Sequence, residues 1–210
     1  MELEYVLPQD IEKRSMEIIQ QELEGRTLPE EIRPIVLRTI HTTADFDYYD
    51  NMCFSDGVVQ IALDAINQGA VIVTDTNMAL SGINKRALER HDCDAMCFMA
   101  DSDVAEMAAK NGTTRAAASV DKAAELDCPV IYAVGNAPTA LIRLCEHIER
   151  KTFIPELVIG VPVGFVNVIQ SKEMLMKSGI PYIVAKGRKG GSTVAAAICN
   201  ALLYMAGDKK

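Results

Sequence analysis

Five short apolar segments alternate with longer helical stretches along most of this 210-residue chain. The segments occupy residues 70–75, 94–100, 129–135, 157–162 and 181–187, and the second is the weakest. Strands that are apolar along their whole length are typical of parallel sheets, because helices cover both faces of such sheets. The alternation therefore predicts an α/β fold with a five-stranded, mostly parallel sheet.

Helical periodicity predicts two N-terminal helices, over residues 10–23 and 29–43, and a third over residues 57–69. Pro29 and the two Glu residues after it are typical of a helix start, and Pro34 is either tolerated in the first turn or moves that start. Further helices are predicted over residues 103–112, 113–126, 137–150, 167–179 and 191–207. Together these elements predict a three-layer sandwich of the flavodoxin-like or Rossmann-like type. The order of the strands does not follow from the sequence.

Length and composition predict one globular domain over residues 1–210. Hydrophobic residues make up 49% of the chain and charged residues 24%, and no apolar run reaches the length of a membrane span. Residues 1–20 are acidic and lack the basic start and apolar run of a signal peptide, so we expect a cytoplasmic protein. The net charge of −8 argues against binding to nucleic acid, which needs clustered Lys and Arg.

The six cysteines are interpreted as reduced structural thiols, because none forms a Cys-x-x-Cys pair and several lie in apolar segments. His91, Cys93 and Cys97 are close enough in sequence to suggest a metal site. However, they lead into an apolar segment, and no second pair of ligands follows at the spacing of a zinc finger. We therefore expect no bound metal.

Gly, Asn, Thr and basic residues are concentrated in the loops that follow four of the five predicted strands. These loops span residues 74–86, 135–140, 160–165 and 186–193. Ligands of parallel sheets bind beyond the carboxyl ends of the strands, where the loops carry function. Any one of these loops could simply contain turn residues. Four of them on one edge of the sheet predict a ligand-binding site at that edge.

The last of these loops contains "GRKGGST", residues 187–193, which lacks the Lys of a phosphate-binding P-loop. No dinucleotide-binding glycine motif follows any strand either, so we expect no cofactor. Backbone N–H groups there, with Lys186, Arg188 and Lys189, can still bind a carboxylate or a phosphate, and a solvated basic turn is the alternative. Arg115 is another candidate for ligand binding, because the helix dipole disfavours a cation in the first turn of a helix.

The segment "RTIHTTADFDYYDN", residues 38–51, places a histidine where a helix is predicted to end. Arg38, His41 and Thr42 share one face of that helix, since they are spaced i, i+3 and i+4. Imidazole exchanges protons near neutral pH, which makes His41 a candidate general acid or base. The alternative is that His41 caps the helix end, where a cation interacts well with the dipole. The three Asp residues that follow lack the remaining ligands of an EF-hand loop.

Seven motifs, in order along the chain, carry a resemblance to a known family. They are IEKRSMEII, RTIHTTADFDY, VTDTNMALSGINK, GTTRAAAS, GNAPTAL, GVPVGFVN and KGRKGGSTVAAA. The chain resembles the precorrin-8X methylmutases, also called cobalt-precorrin-8 methylmutases, of cobalamin biosynthesis. The resemblance covers essentially the whole chain.

This resemblance implies an isomerase that moves a methyl group from ring carbon C11 to C12 of a corrin precursor. The product is hydrogenobyrinate or, with cobalt, cobyrinate. The resemblance also implies a flavodoxin-like fold and a homodimer with its site near the subunit interface. The family's catalytic histidine falls on His41, and its substrate contacts fall on Ser15, Arg38, Thr42 and Arg115.

The residues are compatible with that reaction, because the substrate is a large macrocycle that carries several carboxylates. Arg38, Arg115, Lys186 and Arg188 are expected to pair with those carboxylates. An intramolecular methyl shift needs neither a nucleophile nor a redox cofactor. It needs a held macrocycle and a biased electron distribution, which His41 would supply as a general acid.

Two alternatives stay open at this point. A non-catalytic tetrapyrrole-binding or carrier protein could use the same basic loops, and His41 would then be dispensable. A flavodoxin-like protein that binds FMN is disfavoured by the absence of Trp and of a Ser/Thr-rich phosphate loop after the first strand. No residue decides between a cobalt-containing and a metal-free substrate, and we favour the cobalt form.

Overall fold

The structure, a computed structural model, describes residues 3–207 and contains a six-stranded sheet. The strands are β1 (Met52–Phe54), β2 (Val71–Thr74), β3 (Asp94–Met96), β4 (Val130–Val134), β5 (Leu157–Gly160) and β6 (Tyr182–Ala185). Their order across the sheet is β1-β6-β5-β4-β2-β3. Strands β2 to β6 are parallel to one another. Counted among themselves, these five strands have the order 2-1-3-4-5, which is the flavodoxin-like order.

The sheet has one strand more than the five predicted. Strand β1 is antiparallel to β6, with Met52 paired to Ala185. Three residues are too few to show a periodic pattern, so this strand could not be predicted from sequence. Because β1 runs antiparallel, its first residue lies beside the last residue of β6. The chain that precedes β1 therefore reaches the same edge of the sheet as the loops after the parallel strands.

Helices cover both faces of the sheet, so the predicted three-layer arrangement is confirmed. On one face lie α1 (Ile11–Glu22), α2 (Arg33–Thr43), α3 (Tyr48–Asn51), α4 (Val58–Asn67), α5 (Asn77–Gly82), α6 (Lys85–Arg90) and α11 (Ser192–Met205). On the other lie α7 (Ser102–Asn111), α8 (Arg115–Ala123), α9 (Pro138–Arg150) and α10 (Val168–Met176). Within residues 3–207, no helix is both long and apolar enough to cross a membrane.

The central strands are buried on both faces, which explains why they read as continuous apolar runs. In β4, Ile131 faces the layer with α11, and Tyr132 faces the layer with α9. Both side chains are almost fully buried. The same alternation in β2 places Ile72 and Val73 on opposite faces. Burial on both faces is typical of parallel sheets and positions the strand ends firmly.

Three predicted boundaries differ from the structure. Helix α2 begins at Arg33 rather than at residue 29, because Pro34 fits only in the first turn of a helix. The segment 74–86, predicted as a loop, contains α5 and the start of α6, which are capped by the side chains of Thr76 and Asn84. Strand β3 ends at Met96 and continues as a 3₁₀ turn.

Candidate functional site

The loops at the carboxyl edge of the sheet are joined by a buried carboxylate. Asp75 directly follows β2 and is fully buried. Its carboxylate accepts hydrogen bonds from the backbone N–H groups of Gly135 (2.8 Å), Asn136 (2.8 Å) and Ala137 (2.7 Å), all in the loop after β4. Burial raises the pKa of Asp75, and these three hydrogen bonds oppose that rise. The N–H groups at the junction of β2 and β4 therefore already donate to a carboxylate of the protein itself.

That junction is the point where the strand order reverses, and ligands of such folds commonly bind there. In this chain the protein's own carboxylate takes the position that an anionic ligand would occupy. A neighbouring hydrogen bond of 2.8 Å joins the hydroxyls of Thr76 and Ser192 and ties the loop after β2 to the start of α11. Gly135 lies so close to Ser192 that an added Cβ would meet its Cα at 2.7 Å. The junction is closed, which weakens the case for an FMN site.

The loop after β6 is held from below by a buried lysine. Lys172 of α10 has only 1% of its surface exposed. Its ammonium group donates hydrogen bonds to the backbone carbonyls of Gly187 (2.9 Å) and Lys189 (2.8 Å). Burial lowers the pKa of Lys172 to about 8. The N–H of Gly191 also donates to the carbonyl of Val161 at 2.9 Å, so this loop packs against the loop after β5.

Two aspartates connect the end of α2 to that same loop. The ammonium group of Lys189 lies 2.5 Å from Asp45 Oδ2 and 2.6 Å from Asp47 Oδ2. Lys189 lowers the pKa of Asp45 through this hydrogen bond. The backbone N–H of Lys186 donates to the carbonyl of Asn51 at 2.8 Å. The acidic segment after His41 therefore fixes the basic loop. Lys189, which the sequence suggested as a ligand for a bound anion, is already paired with these two aspartates.

His41 lies in the last turn of α2, four residues before the Asp45 that pairs with Lys189, and is half-buried. Among residues 3–207 its ring makes no hydrogen bond or ion pair. The end of α2 is capped without it, since the N–H of Ala44 donates to Ile40 O at 2.7 Å and the hydroxyl of Thr43 donates to Thr39 O at 2.8 Å. His41 makes no capping hydrogen bond, and its place in the last turn of α2 still suits the alternative in which a cationic imidazole interacts with the helix dipole. Its imidazole is available to a ligand.

Arg38 and Ser15 lie where α1, α2 and α11 meet. The guanidinium of Arg38 donates to Glu12 Oε1 at 3.0 Å and stacks over the ring of Tyr204, with its Cζ 4.8 Å from the ring centroid. The hydroxyl of Ser15, one turn after Glu12, donates to Ile11 O at 2.8 Å and is half-buried. The ring contact and the ion pair hold Arg38 on the same helix face as His41. Thr42, next to His41, is exposed.

The remaining predicted residues lie at separate positions on the carboxyl side. Lys186 and Arg188 are exposed in the loop after β6, and Arg188 lies over the ring of Phe165 at 5.7 Å. Arg115 is the first residue of α8, in the helix layer opposite α2, so the sheet separates it from His41. The hydroxyl of its neighbour Thr114 donates to Thr139 at the start of α9. Within one chain, Arg115 therefore lies in a different helix layer from Ser15, Arg38, His41 and Thr42.

Exposed apolar side chains surround the basic loop. Val163, Phe165 and Val166, in the loop after β5, are 46%, 83% and 79% exposed. Met78, after β2, is 67% exposed. Phe165 lies against Arg188, and exposed apolar side chains beside a basic one are unusual for solvent-facing loops. Such a surface is expected of a site for a large ligand that is apolar in its centre and anionic at its rim.

The segment around His91 takes no part in this site. His91 is buried, and its Nε2 lies 3.1 Å from the carbonyl of Leu203. The thiol of Cys93 donates to the carbonyl of Ile66 at 3.3 Å. All six cysteines are present as thiols. Within the described residues, no cluster of three His, Cys, Asp or Glu side chains is arranged to hold a metal ion.

Comparison with known proteins decides the family. The sequence profile described as precorrin-8X methylmutase matches residues 10–205. The chain belongs to the precorrin-8X methylmutase family. A cobalt-precorrin-8 methylmutase from Salmonella typhimurium is 48% identical, with 81% of this chain and 80% of that protein covered. One from Priestia megaterium is 43% identical, with 96% and 89% covered.

A solved structure supports the same assignment. The crystal structure of a precorrin-8X methyl mutase from Thermus thermophilus superposes with a TM-score of 0.86 at 40% identity. The match covers 94% of this chain and 97% of that one. The family suggested by the seven sequence motifs is therefore confirmed.

Two residues that organise this edge were missed at the level of sequence. Asp75 was part of a quoted motif without a role, and its signal was a carboxylate placed directly after four buried residues. Lys172 fell within the predicted helix over residues 167–179 and was given no role. Its signal was its spacing, because it lies i+4 from Val168 and i−3 from Leu175, both buried.

Proposed function

We propose that this protein is a methylmutase of cobalamin biosynthesis that isomerises a precorrin-8-type macrocycle. In the reaction the bond between the methyl group and C11 breaks and a bond to C12 forms, with no net oxidation or reduction. Family membership over residues 10–205 supports the isomerase activity. The relatives that are 43% and 48% identical to this chain are named as methylmutases, and neither name indicates a carrier.

His41 is proposed as the general acid. Its half-buried imidazole has no partner among residues 3–207 and lies beside the loops of the carboxyl edge, so a ligand there can receive its hydrogen bond. Donation of a proton or a hydrogen bond to the macrocycle would bias its electron distribution toward migration of the methyl group. A general acid of this kind contributes roughly 10²–10⁴-fold to a rate.

The test compares wild type with His41→Ala and with His147→Gln, a matched loss of imidazole. His147 lies far along α9 and bonds to Asp121 and Thr152. We expect His41→Ala to bind the corrinoid product, followed by absorption spectroscopy, but to convert the precursor at least about 100-fold more slowly. Conversion by His41→Ala at the wild-type rate would refute this role of His41, whereas binding without conversion by the wild type would favour a carrier.

The carboxylates of the substrate are proposed to bind the cationic side chains around this edge. Arg38 is held by its ion pair and ring contact, and Ser15 and Thr42 offer hydroxyls on the neighbouring surface. Lys186 and Arg188 are exposed and unpaired by any carboxylate within residues 3–207. Charge-assisted contacts of this kind orient a rigid ring as well as bind it.

Arg115 is proposed to reach the substrate from a second copy of the chain. Within one chain it lies on the opposite helix layer from His41, which motivates the homodimer with its site near the interface. The exposed side chains of Val163, Phe165 and Val166 would be covered in such a dimer. Light scattering of wild type and of Phe165→Glu tests this: we expect a dimer that the substitution weakens, and a wild-type monomer at micromolar concentration would contradict it.

The cobalt-containing precursor is the proposed substrate. The relatives from Salmonella typhimurium and Priestia megaterium are named for cobalt-precorrin-8, whereas the Thermus thermophilus structure is named for precorrin-8X. Conversion assays with both precursors decide between them. We further propose that the 210 residues act as one domain and that the enzyme works in the cytoplasm, where its six thiols stay reduced.

A further inference from the structure

Lys172 is a buried cation without an anionic partner in the part of the chain that the structure describes. Only 1% of its surface is exposed, and its two hydrogen bonds go to the backbone carbonyls of Gly187 and Lys189. Burial of an ammonium group is unfavourable unless an opposite charge compensates it. The lowered pKa of Lys172, about 8, reflects that cost. A charge kept at such a cost suggests a role in the function of the loop above it.

The two carbonyls that bind Lys172 fix the direction of two amide N–H groups. In a trans peptide the C=O and N–H of one unit point in opposite directions, and the described chain has no cis peptide bond. Because the carbonyls of Gly187 and Lys189 point toward Lys172, the N–H groups of Arg188 and Gly190 point away from it. Neither N–H donates a hydrogen bond to another backbone group within residues 3–207.

Glycines make this alternating arrangement possible. Gly187 has φ +78° and Gly190 has φ +156°, values that side chains with a Cβ rarely adopt. At Gly190 a Cβ would also lie 2.1 Å from the carbonyl oxygen of Val161. Two backbone N–H groups that point to the same side of a turn can together bind an anion. The exposed guanidinium of Arg188 lies on the same turn.

We propose that the N–H groups of Arg188 and Gly190, with the Arg188 guanidinium, form a cradle for one carboxylate of the substrate, and that Lys172 is the positioning residue that shapes it. This inference rests on the proposed function, because the corrin precursor supplies the carboxylate. A carboxylate in the cradle would lie across the loop from the ammonium group of Lys172. The bound ligand would therefore supply the anion that the buried cation lacks within the chain.

The test is Lys172→Met, which keeps the length of the side chain and removes its charge. Lys177→Met is the matched control, because Lys177 is exposed at the end of the same helix. Two probes are titrated by absorption: the corrinoid product, and the same corrinoid with its carboxylates capped as methyl esters. We expect Lys172→Met to raise the Kd of the acid about tenfold, which is one charge-assisted contact, and that of the ester less than twofold. Lys177→Met should change neither.

A second measurement uses the wild type and does not depend on the folding of a variant. Amide hydrogen exchange at Arg188 and Gly190 should slow when the acid binds and stay unchanged with the ester. Wild-type affinity for the acid in a folded Lys172→Met variant, or unprotected amides in the wild type saturated with acid, would overturn the inference. If the wild type binds neither corrinoid, the proposed function itself fails, and this cradle fails with it.

Discussion

Replacement of Asp75 by Asn should destabilise the protein markedly, although the two side chains have the same shape. One carboxylate oxygen accepts the N–H of Gly135, and the other accepts the N–H groups of Asn136 and Ala137. The amide of Asn can keep its oxygen at the second position. Its NH₂ group would then face the N–H of Gly135, where donor meets donor.

The magnitude follows from these three contacts. The two retained bonds change from charged to neutral acceptors and lose roughly 1 kcal/mol each, and the orphaned N–H of Gly135 costs about 1–3 kcal/mol. Relief from burial of a charge offsets part of the loss, in line with the raised pKa of Asp75. We expect a net loss of about 3 kcal/mol in the free energy of unfolding. For a chain of this length that corresponds to roughly 6–12 °C in Tm.

Thermal and urea unfolding, followed by circular dichroism, measure this loss. Asp64→Asn is the matched control, because Asp64 is exposed on α4 and accepts a single hydrogen bond from Gln60. That control should unfold within about 0.5 kcal/mol of wild type. If Asp75→Asn melts with the control, the three N–H groups are satisfied in another way. The view that this carboxylate joins the loops would then be wrong.

Three further predictions concern the basic loop and its surroundings. Gly190→Ala should lower Tm and abolish product binding, because its Cβ would meet Val161 O at 2.1 Å. In Gly187→Ala the added Cβ meets no atom within 4 Å, so this substitution should cost only about 1 kcal/mol in strain. Thermal melts and absorption titrations of both variants measure these effects. The folded pKa of Lys172, about 8, lies below its unfolded value of about 10.4, so the unfolded chain binds more protons between these values. The free energy of unfolding of wild type should therefore rise with pH across that window by up to about 3 kcal/mol relative to Lys172→Met. Urea unfolding at several pH values measures this difference, and parallel curves for the two proteins would contradict the prediction. Arg38→Met should weaken product binding about tenfold. Its Tm should change little, because the ion pair of Arg38 with Glu12 is partly exposed. A large loss of Tm with normal binding would show that Arg38 has a structural role only.

The parallel strands could be predicted from sequence because burial on both faces requires a continuous run of mostly apolar residues. Ile131 and Tyr132 face opposite layers and both are buried, so both positions of the alternation carry largely apolar side chains. Strand β1 is too short to show such a run, since it has three residues at the edge of the sheet and pairs only with β6. The direction of β1 was therefore invisible too, although it brings the segment after α2 to the carboxyl edge.

Side-chain roles were predictable only where they did not depend on contacts distant in sequence. His41 stood out because a histidine at a helix end is chemically distinctive, and the family resemblance gave it a role. The pairing of Lys189 with Asp45 and Asp47 joins residues more than 140 positions apart, and no local pattern contains it. Lys172 carried a usable signal, a cation on an apolar helix stripe, but which loop it supports depends on the packing of α10 against the end of β6.

The strand order and the polar contacts together indicate where a ligand can bind at this edge. A flavodoxin-like order points to the junction of β2 and β4, but Asp75 already accepts the N–H groups there. The N–H groups of Arg188 and Gly190 lie at the end of β6, where they donate to no backbone group of the described chain. That end adjoins β1, and β1 brings the segment that follows His41 beside it. The same fold thus offers an anion site displaced from the usual junction toward the histidine, which suits a macrocycle that needs both a proton donor and partners for its carboxylates.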